Sequence, residues 1–68
     1  MTIQPSSTPI PETIPKPALR ALDANGIHSL EAVSLLTKRE LLTYHGIGPK
    51  AIRILEAAMK EYGLSFVD

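Results

Sequence analysis

The length of 68 residues limits the chain to one small domain. The chain contains no cysteine, which excludes both a disulfide framework and a thiolate metal site. Seven Lys and Arg residues balance seven Asp and Glu residues, so the chain lacks the strong positive charge of a protein that coats nucleic acid. The hydrophobic fraction of 44% is typical of a folded domain, and no apolar stretch approaches the roughly 20 residues of a membrane span. The N-terminus also lacks a basic segment followed by an apolar one, so we expect no signal peptide and a cytoplasmic location.

The first twelve residues are rich in proline, serine and threonine. Proline has no backbone N–H, so Pro5, Pro9 and Pro11 exclude a regular helix or a central strand here. The sequence therefore predicts a flexible tail over residues 1–12 and a folded domain over residues 13–68.

The first helix of this domain is predicted to begin near Pro17, because proline suits the first turn. Its apolar stripe consists of Ala18, Leu19, Ala21 and Leu22. Asn25-Gly26 predicts the end of the helix, with Gly26 in the left-handed conformation that closes many helices.

Two short helices are predicted next. Ser29 is a favourable N-cap for the second helix, whose apolar face consists of Leu30, Val33 and Leu36. Thr37 and Glu40 have the spacing of a capping box, which predicts a third helix that carries Leu41 and Leu42 and runs to about Tyr44.

The longest helix is predicted to start at Pro49 and to end at Gly63. Its apolar residues recur at three- and four-residue spacings: Ala51, Ile52, Leu55, Ala58, Met59 and Tyr62. No segment alternates with period two for long enough to predict a strand, so we expect an all-α fold.

An internal repeat links the first and last helices. The segment Ile14–Leu22 matches the segment Ile47–Leu55, which lies 33 residues later, with identical Ile, Ala, Arg and Leu residues at corresponding positions. Both segments enter a helix from a tight turn, but only the second retains glycines. The repeat predicts a pseudo-twofold arrangement in which the first hairpin is degenerate.

The turn before the last helix has the composition of an anion site. Gly46 and Gly48 permit backbone angles closed to other residues and allow close approach of another backbone. The N–H groups at the helix start and the helix dipole favour an anion, and Lys50 and Arg53 add positive charge on one face. The alternative interpretation is a tight connection in which Ile47 plugs the core and the two basic side chains are merely solvated.

The stretch Gly46-Ile47-Gly48-Pro49-Lys50-Ala51 resembles the helix–hairpin–helix signature, in which a hydrophobic residue between two glycines precedes a basic and a small residue. From Ile14 to Phe66 the chain resembles the C-terminal domain of the bacterial RNA polymerase alpha subunit and small stand-alone helix–hairpin–helix proteins. The resemblance implies a compact bundle of four to five short helices that contacts the DNA backbone at the minor groove. It also implies that Phe66, beyond the last helix, folds back onto the core. The DNA-binding residues implied by the pattern and the resemblance are Gly46, Ile47, Gly48, Lys50, Ala51, Arg53, Lys16 and Arg20.

The sequence departs from that polymerase domain at two positions. Pro17 stands where the domain has an arginine needed for DNA, and Arg20 stands where it has an asparagine. We therefore expect weak backbone binding with little sequence preference, rather than selective reading of A·T-rich minor grooves.

Other functions have less support in the sequence. His28 and His45 have neither metal-ligand spacing nor cysteine neighbours, so we expect no metal and no cofactor. No nucleophile–base–acid set can be identified, which argues against an enzyme. The competing function is a protein-interaction module of the transcription or DNA-repair machinery, which the balanced charge also suits. The two functions differ in the expected salt dependence of binding, which is steep only for DNA.

Overall fold

The computed structural model describes residues 8–67, and four helices follow one another in this range. They are α1 (Lys16–Ala24), α2 (Leu30–Val33), α3 (Lys38–Leu42) and α4 (Pro49–Glu61). No strand occurs between residues 8 and 67, so the predicted all-α class is confirmed. No helix in this range is long and apolar enough to cross a membrane. Residues 1–7, most of the predicted tail, lie outside the described part of the chain.

The described end of the predicted tail contacts the domain. The Thr8 carbonyl accepts a hydrogen bond from Leu30 N–H at 3.0 Å, and Thr8 Oγ1 accepts one from Glu31 N–H at 3.1 Å. Ser29 Oγ accepts from Ala32 N–H, as the N-cap prediction requires. The first three N–H groups of α2, which no helical carbonyl can reach, are thus all satisfied, two of them by Thr8.

The two longer helices end in the same way. Gly26 and Gly63 both have φ of +73°, and each follows the last residues of its helix. Ile27 N–H donates to the Leu22 carbonyl after α1, and Leu64 N–H donates to the Met59 carbonyl after α4, both at 2.9 Å. This is the Schellman pattern, so the predicted helix end at Gly26 is confirmed.

The capping box at the start of α3 is also confirmed. Glu40 N–H donates to Thr37 Oγ1 at 3.0 Å, and Thr37 N–H donates to Glu40 Oε1 at 2.8 Å. The helix ends at Leu42 rather than near Tyr44, because Thr43 and Tyr44 donate their N–H groups three residues back instead of four. The tighter turn starts the hairpin early.

The core lies between α4 and the other elements, with α4 packed on α2 and α3. It consists of Ile14, Ala18, Ala21, Leu22, Ile27, Leu30, Val33, Leu41, Ile47, Ala51, Ile52, Leu55, Met59 and Phe66. The prediction that Phe66 returns to the core is confirmed. Two residues assigned to apolar stripes, Leu19 and Tyr62, are instead well exposed, and so is Leu42 of the third helix.

The corresponding positions of the sequence repeat share their burial. Ile14 and Ile47, Ala18 and Ala51, and Leu22 and Leu55 are buried in both copies. Helix α4 has 13 residues against 9 in α1, so the second copy is longer by about one turn. The copies differ at Leu19, which is 42% exposed, whereas Ile52 is 7% exposed.

Candidate nucleic-acid interface

Residues 43–48 form the hairpin between α3 and α4, and Gly46 fixes its position on the fold. Gly46 has φ of +101°, which lies in the region that favours glycine. A Cβ atom added to Gly46 would lie 2.7 Å from the Pro17 carbonyl oxygen, closer than a real Cβ atom approaches backbone. Glycine at this position therefore allows the hairpin to rest directly on the first turn of α1.

Gly48 differs from Gly46, and the prediction that it needs backbone angles closed to other residues is wrong. Its φ of −121° and ψ of −175° are extended values that any residue adopts. A Cβ atom added to Gly48 would meet no atom within 4 Å. The fold does not need glycine at position 48, whose missing side chain leaves open space in front of the α4 N-terminus.

That N-terminus presents unpaired backbone donors. Among residues 8–67, the N–H groups of Gly48, Lys50 and Ala51 have no hydrogen-bond acceptor, and no side chain caps the helix. Pro49 has no N–H to contribute. The neighbouring donors are occupied, because Ile47 N–H donates to the Tyr44 carbonyl and Ile52 N–H donates to the Gly48 carbonyl. Three unpaired N–H donors, interrupted only by Pro49, thus lie at the positive end of a 13-residue helix.

Two residues of the predicted set take part only through the backbone. The side chains of Ile47 and Ala51 are buried in the core. The Ile47 side chain packs in the core, as the alternative interpretation expects, and its N–H donates to the Tyr44 carbonyl. Ala51 offers its N–H group but no accessible side chain.

The N-terminus of α1 carries fewer donors than that of α4. Pro17 occupies a first-turn position and has no N–H. Ala18 and Leu19 both donate to the Pro15 carbonyl, at 3.0 and 3.1 Å. Although Gly46 brings this end of α1 beside the hairpin, it has little capacity to bind an anion through its backbone.

The four basic side chains predicted to contact DNA are all exposed, and none has an ion-pair partner among residues 8–67. Lys50 and Arg53 lie one turn apart on the face of α4 that is opposite its buried residues. Lys16 begins α1, beside Pro17. Arg20 lines an open groove together with Asp23 and His28, so it lies in a mixed-charge environment.

Lys38 differs from these four basic residues. Lys38 Nζ lies 3.0 Å from Glu56 Oε2 and 5.8 Å from the centre of the Phe66 ring. This side chain links α3 to α4 and to the C-terminal segment. It is therefore a structural cation, unlike Lys50.

The histidines show no functional constellation. His28 Nδ1 lies 3.3 Å from Asp23 Oδ1 in an exposed pair. His45 is exposed in the hairpin. No group of three or more metal-ligating side chains occurs among the described residues.

Comparison with protein-family models, with curated proteins and with solved structures finds no match to this chain.

The difference between the two hairpin glycines gives a direct stability prediction. Gly46→Ala should lower the free energy of unfolding by about 1–3 kcal/mol for its backbone conformation alone, with the collision against Pro17 adding to this loss. Gly48→Ala should change stability by less than about 1 kcal/mol, because the restriction of the unfolded chain by alanine is opposed by the poorer N-cap that alanine makes. Urea unfolding followed by circular dichroism measures both variants. Equal losses in the two variants would contradict the assigned roles.

Proposed function

We propose that this chain is a tandem helix–hairpin–helix domain that binds DNA weakly, through backbone phosphates and with little sequence preference. The observation that carries the proposal is the group of three unpaired N–H donors at Gly48, Lys50 and Ala51. A Cβ atom added to Gly48, at the same helix start, would meet no atom within 4 Å. The resemblance to the C-terminal domain of the RNA polymerase alpha subunit supports the same function.

A phosphate suits this site on electrostatic grounds. The helix dipole places partial positive charge at the N-terminus, and the unpaired N–H groups point toward any anion bound there. Lys50 and Arg53 supply full charges on the adjacent helix face. A DNA backbone offers phosphates at regular spacing, so the backbone rather than the bases is the proposed contact.

The first repeat is proposed to position the DNA rather than to hold it. The contact between Gly46 and Pro17 places the start of α1 beside the hairpin. In this proposal Lys16 and Arg20 therefore flank the same DNA groove as the hairpin. Their backbone contributes little, because Pro15 and Pro17 lack N–H groups and Ala18 N–H is occupied. Contacts on the minor-groove side follow from the resemblance.

The proposed binding is weak for two reasons. The net charge is zero, so long-range attraction to DNA is absent. The proposed cationic contacts are only four side chains: Lys16, Arg20, Lys50 and Arg53. We expect dissociation constants of about 10⁻⁴ to 10⁻⁶ M at physiological salt. Action in a cell then requires a further tether that raises the local concentration.

The two repeats should contribute unequally to DNA binding. Lys50→Ala should weaken binding about fivefold, because it removes a phosphate contact next to the free donors. Lys16→Ala should have a smaller effect. Lys60→Ala is the matched control: it removes the same charge from the same helix, about 15 Å from Lys50 and beyond the Debye length. Fluorescence anisotropy with a labelled duplex measures all three variants. Equal losses for Lys50→Ala and Lys16→Ala would show that the repeats contribute symmetrically, and a loss as large for Lys60→Ala would remove the hairpin as the site.

Gly48→Ala separates ligand approach from folding. The alanine methyl group would occupy the space in front of the donors, so DNA binding should weaken while the helical circular dichroism is retained. Gly63→Ala is not a suitable control, because φ of +73° makes that substitution strained. Ala57→Ser, on the exposed side of α4, is a suitable one. Unchanged affinity in Gly48→Ala would exclude close contact between the DNA and this turn.

The salt dependence tests the number of contacts. Each neutralised phosphate adds about −0.9 to the slope of log K against log salt, so four contacts give a slope no steeper than about −3.6. A series of anisotropy titrations at increasing salt provides the slope. Nanomolar affinity, or a clear preference for one duplex sequence at about 0.15 M salt, would contradict the proposal of weak backbone binding.

A further inference from the structure

A second surface feature lies away from the hairpin, between the segment that precedes α1 and the C-terminal half of α4. It is an open cleft of about 440 Å³. Its apolar lining includes Ile10, Leu30 and Ala58, together with the rings of Pro9 and Pro11. Glu12, Glu61 and Tyr62 also line it. We call this feature the acidic cleft.

Packing in the core does not account for the position of the Tyr62 side chain at this cleft. The helical spacing assigns it to the buried face of α4, yet it is 51% exposed. Helix α4 ends at Glu61, and after Gly63 the chain turns so that Leu64 and Phe66 pack on the core instead. An exposed aromatic ring beside apolar surface is typical of protein interfaces, in which tyrosine is enriched.

The charges at this cleft have one sign. Neither Glu12 nor Glu61 has an ion-pair partner among residues 8–67. No Lys, Arg or His side chain lines the cleft. A cation entering it would therefore meet two carboxylates and an aromatic side chain, both of which attract positive charge.

We infer that the acidic cleft binds a basic peptide segment of a protein partner. In this arrangement an apolar side chain of the peptide rests on Ile10 and Ala58, and a neighbouring Arg or Lys pairs with Glu12 or Glu61 and contacts the Tyr62 ring. The charge complementarity and the apolar lining select this occupant over an acidic or uncharged segment. The inference does not depend on the proposed DNA binding, because the two surfaces share no residue.

The experiment is an amide-shift NMR titration of the full chain with the peptide acetyl-Ala-Arg-Leu-Arg-Ala-amide. The expected shifts fall on residues 9–12, 30 and 58–62. The peptide in which both arginines are replaced by glutamate should cause none of them. The double variant Glu12→Gln, Glu61→Gln should weaken binding about fivefold, as expected for loss of exposed ion pairs. Tyr62→Leu should also weaken it, whereas Tyr62→Phe should not.

Asp23→Asn is the control, because it removes an exposed carboxylate that does not line the acidic cleft and should leave peptide affinity unchanged. Peptide shifts confined to the exposed face of α4, equal affinity for the glutamate peptide, or no shifts at all would overturn the inference. Concentration-dependent shifts at residues 9–12 and 58–62 without peptide would also overturn it, since they would assign the cleft to a second copy of this chain.

Discussion

The contact between Gly46 and the Pro17 carbonyl is the constraint on which the proposed DNA interface depends. A side chain at position 46 would require this contact to open, because its Cβ atom would lie 2.7 Å from that oxygen. The backbone of the hairpin therefore packs directly on the backbone of the first turn of α1. The α4 donors at Gly48, Lys50 and Ala51 follow this contact within a few residues of the chain.

The two repeats are similar in their cores and different at their surfaces. Ala18 and Ala51, and likewise Leu22 and Leu55, are buried in both copies, so the same repeat positions face the core. The N-termini differ, because the prolines around Lys16 remove donors that the second copy retains. In the proposed function, one hairpin therefore binds the phosphate and the other orients it. The acidic cleft gives the same small domain a second surface, which could supply the tether that weak DNA binding requires.

The sequence predicted local features well and long-range features poorly. The capping box of Thr37 and the helix end at Gly26 were predicted correctly, since each depends on residues within one turn. Thr8 was not identified as a cap for α2 because its partners lie more than twenty residues away. Gly46 and Gly48 looked equivalent in sequence, and only the packing of Pro17 distinguishes them. Tyr62 fits the helical period, but the helix ends before it.

The most direct test of the central claim is an amide-shift NMR titration of the full chain with a short DNA duplex and with one of its single strands. The account predicts that the largest shifts fall on residues 45–53, with the amides of Gly48, Lys50 and Ala51 among them, and that smaller shifts occur near Lys16. Saturation should occur only at high micromolar DNA or above. Shifts confined to α2 and the acidic cleft, with the amides of residues 45–53 unmoved, would contradict the claim that the hairpin binds phosphate.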